Sequence, residues 1–542
     1  MRYGLAVILS LVFLAVFLSA SQATVAPTAL NSNAATDVGD DTLPRLATDG
    51  AGTWVAVWRS TDDLGGTIGT DSDILVAWSS DGGATWTSPA ALNSNAGTDV
   101  GNDDGPDVAT DNLGNWVVVW SSSEDLDGTM GTDFDIFVAR STDGGATWTA
   151  PAVLNSNAGS DCCEISPGYD SPPTIITDGA GNWVVAWHSN GDGGTTSNDI
   201  EIRTARSTNN GATWTPVAFL NIATEPGFID CCDDSTPSMA TSNGVWVAAW
   251  LTSPIGHGDD IFVARSTDAG ATWTDQINLT NNDGAGAPPR LASDGAGNWV
   301  IVWMSDGDIH FVRSVDNGVT WTAEALLNNN AANDPTLDRL PRVATDGGGN
   351  WVTVWQSAGS LGGTIGSDLD ILIARSSDGG ATWTYPEPLH GNAATDSGSD
   401  TNAGVKYGDG RWIAFWQSNE SLGGTIGTDY DILYLNCLPA PSQWSIPPGD
   451  GDCDGYDTPQ EATMGTHPGN ACGFTPGGDT ASENWPPDLV ESNNVNIQDV
   501  LVLKPMFGGS APARYDIVAS GGTIDISDVL ALKPFFGLSC TP

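Results

Sequence analysis

Basic side chains are scarce in this 542-residue sequence, where 17 Lys and Arg stand against 67 Asp and Glu for a formal charge of −50. A chain so negative repels polyanions, which excludes nucleic acid as a partner and requires a local basic site for any anionic ligand. Glutamate is sparse too, at ten residues, so the acidity is aspartate, which favours turns, caps and calcium loops over helix interiors. The apolar run from Leu5 to Ala20 is shorter than the about 20 residues of a membrane-spanning helix. It ends at Ser21-Gln22-Ala23, whose small residues suit signal peptidase. The expectation is a signal peptide over residues 1–23 and a secreted, extracellular mature chain without a transmembrane segment. Eight Cys occur, none with the Cys-x-x-Cys spacing of a zinc site, so disulfides are expected. The sequences DCCE (Asp161 to Glu164) and DCCD (Asp230 to Asp233) fall in corresponding links of adjacent units, and Cys162 and Cys163 facing Cys231 and Cys232 is one pairing among the 105 that eight Cys allow.

What is abundant is repetition. Seven segments share one pattern: LATDGAGTWVAVW (Leu46 to Trp58), VATDNLGNWVVVW (Val108 to Trp120), IITDGAGNWVVAW (Ile175 to Trp187), MATSNGVWVAAW (Met239 to Trp250), LASDGAGNWVIVW (Leu291 to Trp303), VATDGGGNWVTVW (Val343 to Trp355) and VKYGDGRWIAFW (Val405 to Trp416). Each joins an apolar stretch to a β-branched and aromatic stretch through a Gly/Asp/Asn turn, which predicts a β-hairpin. A third strand follows, opened by Asp73, Asp135, Asp199, Asp260, Asp308, Asp370 or Asp431 before an Ile.

Six units continue as Ser-x-Asp-x-Gly-x-Thr-Trp or a near variant: Ser79 to Trp86, Ser141 to Trp148, Ser207 to Trp214, Ser266 to Trp273, Ser314 to Trp321 and Ser376 to Trp383. This resembles the Asp box, or bacterial neuraminidase repeat, of sialidase-like β-propellers, over roughly residues 24–437. The Asp and Gly form a tight turn between third and fourth strands, and the Trp fills the space between blades. The seventh unit has no Asp box, but Thr24 to Gly39 (TVAPTALNSNAATDVG) matches the fourth-strand text Thr87 to Gly101 (TSPAALNSNAGTDVG). The N-terminal strand therefore completes the last blade. The predicted fold is all-β, a closed seven-bladed propeller, where six-bladed sialidases are the better-known form. The 23 Trp recur at fixed places in the units, which assigns them to packing rather than to sugar stacking.

One position just before each inner strand reads Arg45, Asp107, Thr174, Ser238, Arg290, Arg342 and Gly404 around the ring, and these residues should surround the channel mouth. Three of the chain's 14 Arg there suit bidentate binding of a carboxylate. The sialidase resemblance implies the same cluster, together with an Asp acid/base and a Glu-activated Tyr nucleophile. Asp107 and Tyr407 are the nearest candidates by position. Asp71 with Asp73 and Asp133 with Asp135, in the links from second to third strands, admit two readings: calcium ligands, or caps that bind loop amides. The second is preferred because the spacing does not complete a ligand set.

A Pro-rich linker (438–449) leads to a module over 450–542. DGDCDGYDTPQE (Asp450 to Glu461) matches a calcium loop, with Asp450, Asp452 and Asp454 giving carboxylates, Tyr456 its carbonyl and Glu461 a bidentate carboxylate. It also resembles thrombospondin type 3 repeats. VNIQDVLVLKPMFG (Val495 to Gly508) and IDISDVLALKPFFG (Ile524 to Gly537) form a duplication that resembles a dockerin, which implies a cohesin-type partner. Three functions stay open at this point: a propeller that binds a glycan or surface protein and is attached through the dockerin-like tail, an exo-α-sialidase or related glycoside hydrolase, and a structural surface protein without a ligand.

Overall fold

The computed structural model describes residues 26–438 except 129, 132, 160–168, 191–199, 221–232, 254–257, 281–287, 332–335 and 437. The signal segment, every Cys, Asp199 and the calcium-loop and dockerin-like sequences lie outside the described residues.

Seven four-stranded antiparallel sheets form the ring. The first blade runs Asp41–Thr48, Trp54–Ser60, Asp73–Ser79 and Ala90–Ala91, from inner strand to outer. The last combines Asp400–Gly408, Arg411–Ser418 and Asp431–Leu435 with the N-terminal Thr28–Ala29, which pairs Thr28 with Tyr434 and Ala29 with Leu433. The expected closure by the first strand is what the structure has.

Each second strand is buried on both faces because its sheet packs between two neighbours, so its sequence is continuously apolar rather than half polar. In the first blade Trp54, Ala56 and Trp58 pack with Ile413 and Phe415 of the last blade, while Val55 and Val57 pack with Trp116 and Trp120 of the second. Twelve second-strand Trp, two from each of six blades, are fully buried. Burying one removes on the order of 150–250 Å² from water, worth at most about 4–6 kcal/mol. These indoles are the wedges that hold the blades apart at a fixed angle, and they account for much of the Trp excess.

The Asp boxes close as short side-chain-locked turns. In the fifth blade Ser314 Oγ donates to Asp316 Oδ1 at 2.8 Å, and Asp316 accepts from Thr320 N at 2.9 Å and Thr320 Oγ1 at 2.6 Å. The third blade does the same with Asn209, which accepts from Thr213 N at 3.0 Å. The box Trp is half-buried and leans on the preceding blade, as Trp86 meets Tyr434 edge-on at 6.1 Å.

Candidate functional site

A repeated backbone irregularity builds the ring of residues at the channel. In five inner strands the register shifts just before the ring position, between Thr42/Arg45, Asp104/Asp107, Ser235/Ser238, Arg339/Arg342 and Thr401/Gly404. The bulges carry left-handed residues at Leu43, Gly105, Thr236, Leu340 and Asn402. For a Leu or Thr that conformation costs about 1–2 kcal/mol, and bulges of this kind re-aim the next side chain. In the two remaining blades Pro172-Pro173 and Pro288-Pro289 lead directly into Thr174 and Arg290, where those inner strands begin.

All seven ring residues line one cavity of about 300 Å³, as their shared place in the repeat predicts. Two further residues join them that the sequence did not point to, His188 and Lys406. Lys406 stands where the other blades have Ala47, Ala109, Ile176, Ala240, Ala292 and Ala344, so a comparison of the repeats at that column identifies it. Gly404 leaves room for Phe415, whose ring a Cβ at that position would strike.

The cavity is cationic. Arg45, Arg290 and Arg342 are half-buried, and Lys406 is open to the channel. Partial desolvation between the channel walls lowers the pKa of Arg45, Arg342 and Lys406 and takes Arg290 to about 10. Repulsion among the cations adds to this for Arg290, Arg342 and Lys406, and the Asp107 carboxylate opposes it throughout. Water in the channel screens these effects, and the guanidinium groups stay charged at neutral pH. Arg45 and Arg290 each fold one Nη1 back onto the preceding Pro carbonyl, at 2.8 and 2.9 Å.

Asp107 sits in the cavity, but its carboxylate is engaged. Oδ2 accepts from Thr174 Oγ1 at 3.1 Å and Ile175 N at 3.0 Å, and Oδ1 from Val108 N at 3.0 Å. Tyr407 is not among the residues lining the cavity; it packs on Trp412 with ring centroids 5.1 Å apart. Burial, then the Asp346 and Asp409 carboxylates, raises its pKa further above the ordinary phenol value, which is the wrong direction for a nucleophile. Among the described residues no Glu lines the cavity. His188 accepts from Thr236 N at 3.1 Å through Nδ1, and burial lowers its pKa to about 4.

In each pair the Asp that opens the third strand accepts from a loop side-chain amide, in line with the capping reading preferred on sequence. Asp73 Oδ1 takes its hydrogen bond from a side-chain amide, Asn93 Nδ2 at 2.7 Å, and lies beside Asp71 and Asp99. Burial and the two neighbouring carboxylates raise its pKa to about 7. Asp135 takes the equivalent bond from Asn155 Nδ2 at 2.7 Å.

Residues 114–348 match the BNR repeat-like domain. No curated protein matches the chain. Among solved structures it is similar to the Hadza microbial sialidase Hz136, at 17% identity and a TM-score of 0.41 over 61% of this chain and 66% of that one. It is similar to Trypanosoma rangeli sialidase in complex with the inhibitor DANA, at 16% identity and a TM-score of 0.41 over 64% of this chain and 56% of that one. A third is the NanB sialidase of Streptococcus pneumoniae, at 11% identity and a TM-score of 0.39 over 75% and 69% of the two chains. The matched part thus spans about two thirds or less of the first of these sialidases and little more than half of the second.

Proposed function

We propose that this chain is a secreted, sialidase-like binding propeller that holds a carboxylate-bearing sugar of the sialic acid class at its channel mouth. The observation that carries this reading is the convergence of Arg45, Arg290 and Arg342, with Lys406 beside them, on one cavity of a chain with 17 basic residues in all. Planar guanidinium groups match a carboxylate with paired hydrogen bonds, and three of them around one point select an anion over a neutral sugar. The strongly negative chain discourages long polyanions, so a single small anionic group suits the site better than an extended acidic polymer. About 300 Å³ is the lower end of ligand pockets, the scale of one sugar residue. The sugar class itself rests on the Asp-box resemblance and the BNR repeat-like match.

Recognition is favoured over hydrolysis. A retaining sialidase of the resembling family needs an activated Tyr at the sugar, and Tyr407 packs against Trp412 instead. The exo-α-sialidase reading keeps one supporting observation, that Asp107 shares the cavity with the three Arg. In the same proposal the calcium loop of Asp450, Asp452, Asp454, Tyr456 and Glu461 and the dockerin-like duplication attach the propeller to a cohesin-type partner on a surface or scaffold. The test is calorimetric titration of the full chain with a sialyl-terminated oligosaccharide and with its desialylated counterpart. Saturable heat from the first alone supports the binding reading; release of sialic acid from a fluorogenic sialoside transfers the chain to the hydrolase reading; silence in both assays rejects the two together.

A further inference from the structure

Three blade junctions bring the same two segments together. The link entering the third strand ends Gly-x-Asp-x-Asp-Ile, at Gly69 to Ile74, Gly366 to Ile371 and Gly427 to Ile432. The chain leaving the fourth strand carries an Asp seven residues after a buried Leu: Asp99 after Leu92, Asp396 after Leu389, and Asp37 after Leu30. One backbone bond clamps each pair of segments, from Gly69 N to Ala96 O at 2.9 Å, Gly366 N to Ala393 O at 2.9 Å and Gly427 N to Ala34 O at 2.8 Å. A Cβ on any of these three Gly would collide with Oδ1 of the Asp two residues on, so the glycine shapes a cradle for that carboxylate.

The carboxylates converge. Oxygens of Asp71, Asp73 and Asp99 lie within 4.8 Å of one another, as do those of Asp37, Asp429 and Asp431. At the third junction Asp370 and Asp396 meet at the same spacing, together with His390 and Asp400. His390 turns its Nε2 to Asp400, 2.7 Å away, which leaves both oxygens of Asp370 without a hydrogen-bond partner. Asp370 is 1% exposed; Asp73 and Asp431, at 1% and 0%, each have an unpartnered Oδ2. A fully buried carboxylate oxygen without a donor carries a desolvation cost, and a cation bound among the converging carboxylates would offset it.

We infer that these junctions are divalent-cation sites: Asp71/Asp73/Asp99, Asp37/Asp429/Asp431, and Asp370/Asp396 beside the His390–Asp400 pair, with Asp368 added by its place in the shared Gly-x-Asp-x-Asp motif. The ion that fits is calcium. All-oxygen carboxylate sets select hard cations over zinc, and calcium accepts six to eight oxygens in flexible geometry, with waters completing the shell. Each ion staples the second-to-third link of one blade to the chain on its way to the next. At the ring closure it joins Asp37, from the N-terminal segment, to Asp429 and Asp431 of the last blade.

The test is the calcium content of the full chain after equilibrium dialysis in radioactive calcium, for wild type and for the triple variant Asp73→Asn, Asp370→Asn, Asp431→Asn, with folding checked by circular dichroism. The expected result is a loss of three equivalents per chain in the variant; equal content in two folded proteins overturns the inference. Should the triple variant fail to fold, the full chain with Asp450→Ala, Asp452→Ala and Asp454→Ala, which silences the C-terminal loop, is heated with and without millimolar calcium. A rise in Tm that EDTA reverses and magnesium does not reproduce supports the junction sites, and an unchanged Tm refutes them.

Discussion

Ring closure hangs on very little backbone, since the N-terminal strand Thr28–Ala29 makes a two-residue ladder. Asn31, just after it, is fully buried and bridges the closure: Nδ2 donates to Asp41 Oδ2 at 2.8 Å and Asp431 Oδ1 at 2.7 Å, and Oδ1 accepts from Ile432 N at 3.1 Å. Substituting Asn31→Ala removes two hydrogen bonds to carboxylates, about 1.5–3 kcal/mol each, and orphans a buried amide at about 1–3 kcal/mol more. Proton uptake by the stranded carboxylates recovers part of this, because burial already holds Asp431 at about 7. A net cost of about 3–5 kcal/mol remains. It is local to the closure, so its signature is detachment of the N-terminal segment. Limited proteolysis in chelator reads it, because cleavage under native conditions tracks the open population, and 3–5 kcal/mol multiplies that population by about a hundred to a few thousand. Asn328→Ala, which breaks the equivalent bonds to Asp308 at 2.9 Å and Asp338 at 2.7 Å inside the ring, should not release the N-terminus. If Asn31→Ala accelerates cleavage less than about fivefold, or if both variants release the same fragment, the closure argument fails.

Further outcomes follow from other parts of the ring. Trp120→Ala should cost about 3–5 kcal/mol in urea unfolding, since the indole is fully enclosed and its neighbours on the adjoining blade cannot collapse into the gap; a cost under 1 kcal/mol would contradict the wedge role. Asp316 is held at about 2 by its bonds to Thr320, below its unfolded value near 4, so the stabilisation it gives is present above about pH 4 and is lost as the pH falls to about 2. Asp316→Asn, which reproduces what the third blade already carries as Asn209, should therefore be milder than Asp316→Ala, and the gap between wild type and either variant should narrow as the pH falls to about 2 in a thermal-melt series. Gly404→Ala drives a Cβ into the Phe415 ring and should lower stability by about 1–3 kcal/mol while weakening ligand binding at the channel; unchanged binding would separate that residue from the site.

Much of this architecture can be read from text because each blade repeats the same physical problem. A sheet enclosed on both faces needs an unbroken apolar second strand, and a turn without a helix needs Asp, Gly and Thr at fixed offsets, so the Trp pairs and Asp boxes are visible seven and six times over. The channel ring is also legible, since Arg45, Arg290 and Arg342 occupy one column of the repeat. Lys406 belongs to a different column, two residues on, and only the six smaller apolar residues of the other blades make it conspicuous there. Tyr407 looks close to the ring by residue count, yet side chains on a strand alternate sides, and an odd offset from Gly404 sends it against Trp412. The carboxylate clusters are half legible. Asp71 and Asp73 stand out as a pair, but their partner Asp99 lies beyond an entire strand and turn, and only the recurrence of the same Asp after Leu30 and Leu389 signals that it belongs to them.

Carboxylate binding by the three channel Arg is the proposal on which the function rests, and Arg342 is the residue to remove. Binding of a sialyl-terminated oligosaccharide to the full chain, measured by calorimetry at neutral pH, should weaken by about ten- to a hundredfold in Arg342→Ala, the loss expected for charge-assisted hydrogen bonds worth about 1.5–3 kcal/mol. Arg342→Lys should recover only part of it, because an ammonium keeps the charge and gives up the paired geometry. Equal affinity in wild type and Arg342→Ala, with both proteins folded, would contradict the claim.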